Sequence, residues 1–141
     1  MINLLEWETA INHAWEDKKP CMVVSADRNG YPDIAFKGSM MVFDRDHLAW
    51  WERTRGEQID QVKENPHVVM LYRDEALILR FYGDATVHTE GPMRGEIMER
   101  VIPQELAKDP ERKGFGVLVR IDRVRQSSNT IQQRQQGAGG G

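Results

Sequence analysis

Leu77-Ile78-Leu79-Arg80-Phe81-Tyr82-Gly83-Asp84-Ala85-Thr86-Val87-His88 alternates for its whole length. Leu77, Leu79, Phe81, Ala85 and Val87 fall on one side, and Arg80, Tyr82, Asp84, Thr86 and His88 on the other. A period of two is that of a strand with one face buried, and such strands belong mostly to antiparallel sheets.

The same period recurs on both sides. Cys21–Ala26 reads as a strand. Asp27-Arg28-Asn29-Gly30 follows as a turn, because Asn-Gly readily supplies positive φ. Residues 31–36 pair back as a second strand, with Pro32 placing its start at an edge. Residues 40–43 and 48–51 make another hairpin around Asp44-Arg45-Asp46. Residues 68–72 form a strand, and Phe115, Val117, Val119 and Ile121 a last one.

Three short helices separate these strands. Residues 4–15 place Leu4, Trp7, Ile11, Ala14 and Trp15 at helical spacing, with Asn3 as N-cap. Residues 57–65 place Ile59 and Val62 on one face, and Asn65-Pro66 stops the helix. Pro92 opens the third, with Met93, Ile97 and Val101 four apart, and Pro103 marks its end. The chain thus predicts a mainly β domain of about seven strands with short helices, closed as a barrel to remove exposed edges. An open sandwich is the structural alternative. The domain is expected over 1–125, and 126–141 reads as a flexible polar and Gly-rich tail.

Composition narrows the function. The chain has 141 residues and a formal charge of −3, with Lys and Arg interleaved among acids rather than gathered into a nucleic-acid stripe. Cys21 is the one cysteine, so no internal disulfide can form, and a cytoplasmic location is expected. No apolar run approaches the roughly 20 residues that span a bilayer. His13, His47, His67 and His88 offer no ligand pair at metal spacing, so no metal is expected.

Two segments can carry chemistry. In Phe36-Lys37-Gly38-Ser39-Met40 one strand hands over to the next, and glycine there allows close approach to the backbone. A bulge beside an ordinary surface lysine explains the segment equally well. Trp50-Trp51-Glu52-Arg53-Thr54-Arg55-Gly56-Glu57 leads from a strand into a helix. The free N–H groups of a helix start attract phosphate, and Arg53 and Arg55 add guanidinium groups. An aromatic neighbour can wall a planar ligand. Since Trp50 and Trp51 point to opposite faces of a strand, only one of them can line that pocket. Thr54-Arg55-Gly56-Glu57 also fits a capping box, so the Thr54 hydroxyl has a purely structural reading.

The order of these pieces resembles the pyridoxamine 5′-phosphate oxidase-related FMN-binding split barrels. The resemblance runs over residues 4–124. It rests on Lys37-Gly38-Ser39, Trp51-Glu52-Arg53-Thr54-Arg55-Gly56, Glu64-Asn65-Pro66-His67-Val68 and Leu79-Arg80-Phe81-Tyr82-Gly83-Asp84-Ala85. It implies an antiparallel Greek-key split β-barrel that forms a homodimer, with FMN at the interface. It further implies that Phe36, Lys37, Gly38 and Ser39 run beside the flavin ring. Trp51 and the junction Glu52, Arg53, Thr54, Arg55, with Gln58 in the first helical turn, are then the remaining cofactor-binding positions.

The implied activity is that of a flavin-dependent oxidoreductase of unknown substrate, with no acid–base residue nominated. The alternatives are a non-enzymatic FMN carrier or a split barrel that binds haem or a deazaflavin. The chain departs from the family at Glu57 and Gln58, where many relatives carry lysine or arginine. It also ends soon after its last strand, without the C-terminal extension that true pyridoxamine phosphate oxidases use for their substrate. The founding activity is therefore not expected.

Overall fold

The computed structural model describes residues 1–53 and 56–135, apart from the side chain at 57. A 3-10 turn, Leu5–Trp7, and a short helix α1, Glu8–Asn12, open the chain. Strands β1 (Cys21–Ala26) and β2 (Pro32–Lys37) form the first hairpin, and β3 (Met41–Val42) and β4 (His47–Glu52) the second. Helix α2 (Glu57–Glu64) leads into β5 (His67–Arg73) and β6 (Ile78–His88). Helices α3 (Pro92–Arg100) and α4 (Pro103–Leu106) precede β7 (Phe115–Gln126) and β8 (Asn129–Gln133).

All strand pairings are antiparallel, in the order β2-β1-β5-β6-β7-β4-β3, with β8 added to β7. The non-sequential neighbours β1·β5 and β4·β7 are the long crossovers of a Greek key. The sheet curls into the antiparallel split β-barrel that the sequence predicts. Its interior holds Trp50, Phe81, Leu48, Leu79, Ile121, Val23, Val117 and Val124, each almost fully buried. Leu4, Trp7 and Ile11 join this core, with Trp7 edge-on to Phe81 at 5.6 Å between centroids. A smaller apolar cluster lies outside the barrel, where Ile97 of α3 and Val101 just after it cover Met41, Ala49 and Trp51.

Four sequence expectations are corrected. The first helix ends at Asn12, so Trp15 is not on its buried face but 41% exposed. Pro103 opens a further helix instead of only closing one, as suits a residue that gives up no N–H bond at the first helical position. Among the described residues there are eight strands. The eighth lies in the stretch read as a flexible tail: β8 pairs with β7 across a Ser127-Ser128 turn, with Ser127 at φ 53°. Gln132 of β8 then clasps the amino end. The Asn3 N–H donates to Gln132 Oε1 at 2.9 Å, and Gln132 Nε2 donates to the Asn3 carbonyl at 3.0 Å.

Candidate functional site

Strand β4 carries Trp50 and Trp51 on opposite faces. Trp50 enters the barrel core, while Trp51 faces outward beneath α3 and α4. The end of β2 lies alongside, and between them opens a groove of about 250 Å³. Phe36, Lys37, Gly38 and Ser39 line one side of it, and Trp51, Glu52 and Arg53 the other. The fold therefore brings together two segments that are separate in sequence.

The groove is held by polar contacts. Lys37 Nζ meets Glu52 Oε1 at 2.7 Å, with both side chains only 8% exposed. Trp50 Nε1 donates to the same carboxylate oxygen at 3.1 Å. The Ser39 hydroxyl accepts from the Trp51 N–H at 2.9 Å and donates to the Trp51 carbonyl at 3.2 Å, so it ties β4 to the β2–β3 connection.

Trp51 itself is fixed from behind. Its Nε1 donates to Asp109 Oδ2 at 2.9 Å, and the Lys113 and Gly114 N–H groups donate to the same carboxylate. Burial pushes the Asp109 carboxyl upward, but these hydrogen bonds outweigh it and hold the group below the usual carboxylate range. Gly114 is required here. A Cβ would stand 2.7 Å from Trp51 Nε1 and 2.5 Å from the Glu52 carbonyl.

Helix α4 and the turn after it supply a third wall that the sequence reading missed. Glu105 and Lys108 line the groove and pair at 2.6 Å. A Cβ at Gly38 would fall 2.7 Å from Glu105 Oε1, so the absence of a side chain there admits this carboxylate. Lys108 in turn sits 5.1 Å from the centre of the Trp15 ring, which completes the rim. The available signal was Pro103 followed by an acid and a base three residues apart, the start and spacing of a helical turn.

Gln58 does not line the groove. It is buried, its Nε2 donates to the Val23 carbonyl at 3.1 Å, and among the described residues its Oε1 has no donor. Gly56 is the N-cap of α2, so no side chain at that position caps the first turn. Thr54 and Arg55 lie outside the described residues. Away from the groove, Asp44, Asp46 and His47 bring one ligand atom each within 4.8 Å of one another. Asp46 there is already engaged by Arg134 at 3.0 Å.

The sequence profile of the pyridoxamine 5′-phosphate oxidase family matches residues 8–127. The chain belongs to this family. No curated protein sequence matches it significantly. Among solved structures, HupZ of Group A Streptococcus superposes with a TM-score of 0.72 at 22% identity, covering 96% of this chain and 100% of that one. An FMN-binding protein from Syntrophomonas wolfei gives 0.68 at 16% identity, covering 89% and 88%. General Stress Protein 26 from Bacillus anthracis gives 0.66 at 17%, covering 92% and 98%. Likenesses at this identity show the split-barrel fold. Among the described residues, no helix is long and apolar enough to cross a membrane.

Proposed function

We propose that the protein is an FMN-binding flavoprotein that works as a homodimer. The observation that carries this reading is the groove itself, which gathers Phe36, Lys37, Gly38, Ser39, Trp51, Glu52 and Arg53 at one place. The donor set suits a phosphorylated aromatic ligand. Trp51 is a firm backing to the groove, its indole packed under α3 and fixed by Asp109. Arg53 stands exposed at the rim, next to a helix start whose N-cap has no side chain. Free N–H groups at such a start attract phosphate, and a guanidinium adds paired donors.

Lys37 and Lys108 are each neutralised by a carboxylate. They shape the groove more than they charge it, which leaves Arg53 as the described cation with most to offer a phosphate. When bound, FMN supplies hydride or electron transfer, and the protein supplies position and electrostatics.

The dimer reading rests on the outer face of β2, where Ile34 is 57% and Phe36 60% exposed. Large apolar side chains grouped on a sheet face mark an interaction surface.

Arg53→Ala tests the site. A hydrogen bond to a charged group contributes about 1.5–3 kcal/mol. FMN affinity should therefore fall roughly tenfold to a hundredfold, at about 1.4 kcal/mol per decade. Riboflavin affinity should barely move. Fluorescence-quenching titrations of both ligands decide it, and equal affinity of the wild-type protein for the two would end the phosphate assignment.

A further inference from the structure

The outer face of the sheet changes character across its width. In β2, β1 and β5 the register sets Phe36 beside Met22 and Leu71, and Ile34 beside Val24 and Val69. The same two rows continue into β6 and β7 as Arg80 beside Arg125, and Tyr82 beside Arg123. After three apolar residues, one row ends in Arg80 and Arg125 and the other in Tyr82 and Arg123.

Two of the three arginines engage one ring, and Arg80 lies across the ladder from Arg125. Arg123 lies 4.3 Å from the centre of Tyr82, and Arg125 Nη1 donates to the Tyr82 hydroxyl at 3.3 Å. Arg80 and Arg125 otherwise donate to the backbone carbonyls of Ser127 and Ser128. Among the described residues, none of the three has a carboxylate partner. The acid next to them in β7, Asp122, is held by Arg134 at 3.2 Å. Arg80 and Arg125 face each other directly across the β6–β7 ladder, and like charges so placed are destabilising. The chain retains this arrangement without an anion of its own to offset it.

We propose that Arg80, Arg123 and Arg125 form an anion site for the phosphate or carboxylate group of a ligand held in the groove of a second copy. Guanidinium groups match both kinds of oxygen pair, and the Tyr82 ring keeps Arg123 in place. The facing of site and groove follows from symmetry and charge. A two-fold contact repeats the same patch on both partners. An axis running across the strands lays β6 and β7 on their own copies, with each arginine cluster against the other. An axis running along the strands keeps the apolar halves together. It carries β6 and β7 of one copy to the β2 edge of its partner, at the level of Phe36 and beside the Trp51 groove. Repulsion between the clusters selects the second arrangement.

This inference rests on the flavoprotein dimer reading for the identity of the ligand, and on the strand register alone for the anion site. The test is the double variant Arg80→Gln/Arg125→Gln, which keeps amide donors for the Ser127 and Ser128 carbonyls. Three quantities are measured: melting temperature without ligand, dissociation constants for FMN and riboflavin, and the rise in melting temperature with millimolar inorganic phosphate.

The ligand-free variant should melt no lower than wild type, because the opposed charges are gone. If the cofactor phosphate fills the site, FMN affinity falls at least tenfold and riboflavin affinity changes less than twofold. If a separate anion fills it, flavin affinities hold, and inorganic phosphate stabilises the flavin-loaded wild type but not the variant. The proposal is overturned if FMN affinity and phosphate stabilisation are both unchanged. It is equally overturned if the variant melts lower and binds both flavins equally poorly. A wild-type protein that binds neither flavin removes the cofactor reading, and the phosphate measurement still decides the anion site.

Discussion

Trp50 and Trp51 are neighbours in β4, yet they belong to two differently built regions. Trp50 is 1% exposed among the apolar residues of the barrel interior. Trp51 is 4% exposed, but its position depends on Asp109, the Ser39 hydroxyl and the closeness that Gly114 permits. The interior is stabilised by area removed from water, which tolerates changes of direction but not of volume. The groove wall is stabilised by satisfied polar contacts, which tolerate changes of volume poorly and changes of charge worse. One strand therefore carries both the core of the fold and the wall of the site.

Trp50→Ala breaks the first region and should have the largest effect. Emptying a buried tryptophan site costs about 3–5 kcal/mol. Urea denaturation should show that loss, and a value below about 1 kcal/mol would mean the interior does not depend on this residue.

Glu52→Gln breaks the second region and should cost about 3 kcal/mol, because it leaves the Lys37 ammonium buried without its carboxylate. The double variant Lys37→Met/Glu52→Leu sharpens the contrast. It should recover part of the stability by the same measurement, since a well-packed apolar pair often replaces a buried ion pair at no loss, while the Trp50 N–H is left without its acceptor. Failure to recover would show that the polar contacts, rather than local packing, hold this wall.

The smallest expected effect concerns acid. The Asp109 carboxyl is held below its ordinary range in the folded protein. Its contribution is therefore fully present above the unfolded value of about 3.9 and disappears as pH falls through the lower folded value. Denaturation measured between about pH 6 and pH 2 should show a shallower acid loss in Asp109→Asn than in wild type. Parallel curves would detach Asp109 from the acid sensitivity of the groove.

The sequence made the barrel legible because its central strands are buried on one side only. The alternation in β6 and β7 reports burial directly. β8 escaped for the opposite reason: Asn129–Gln133 is an edge strand held by backbone bonds to β7, so burial writes no period into it. At the site, the segments around Gly38 and Arg53 were readable because each is a local break in a pattern. Glu105, Lys108 and Trp15 were not, since they reach the groove only through the packing of α4 and the amino-terminal segment. Gln58 marks a different limit. Position in a helical turn predicts the element it lies on, but not whether its amide turns toward the groove or toward the Val23 carbonyl.

The clasp between Asn3 and Gln132 has a meaning in time. Its two residues are 129 apart in sequence. Closing so long a loop adds little to the equilibrium cost, which grows only as the logarithm of length, but it makes the contact a late event in folding. During synthesis at about 5–20 residues per second, residue 3 waits on the order of ten seconds for residue 132 to exist. The amino-terminal segment must pass that interval without the strand that finally fastens it.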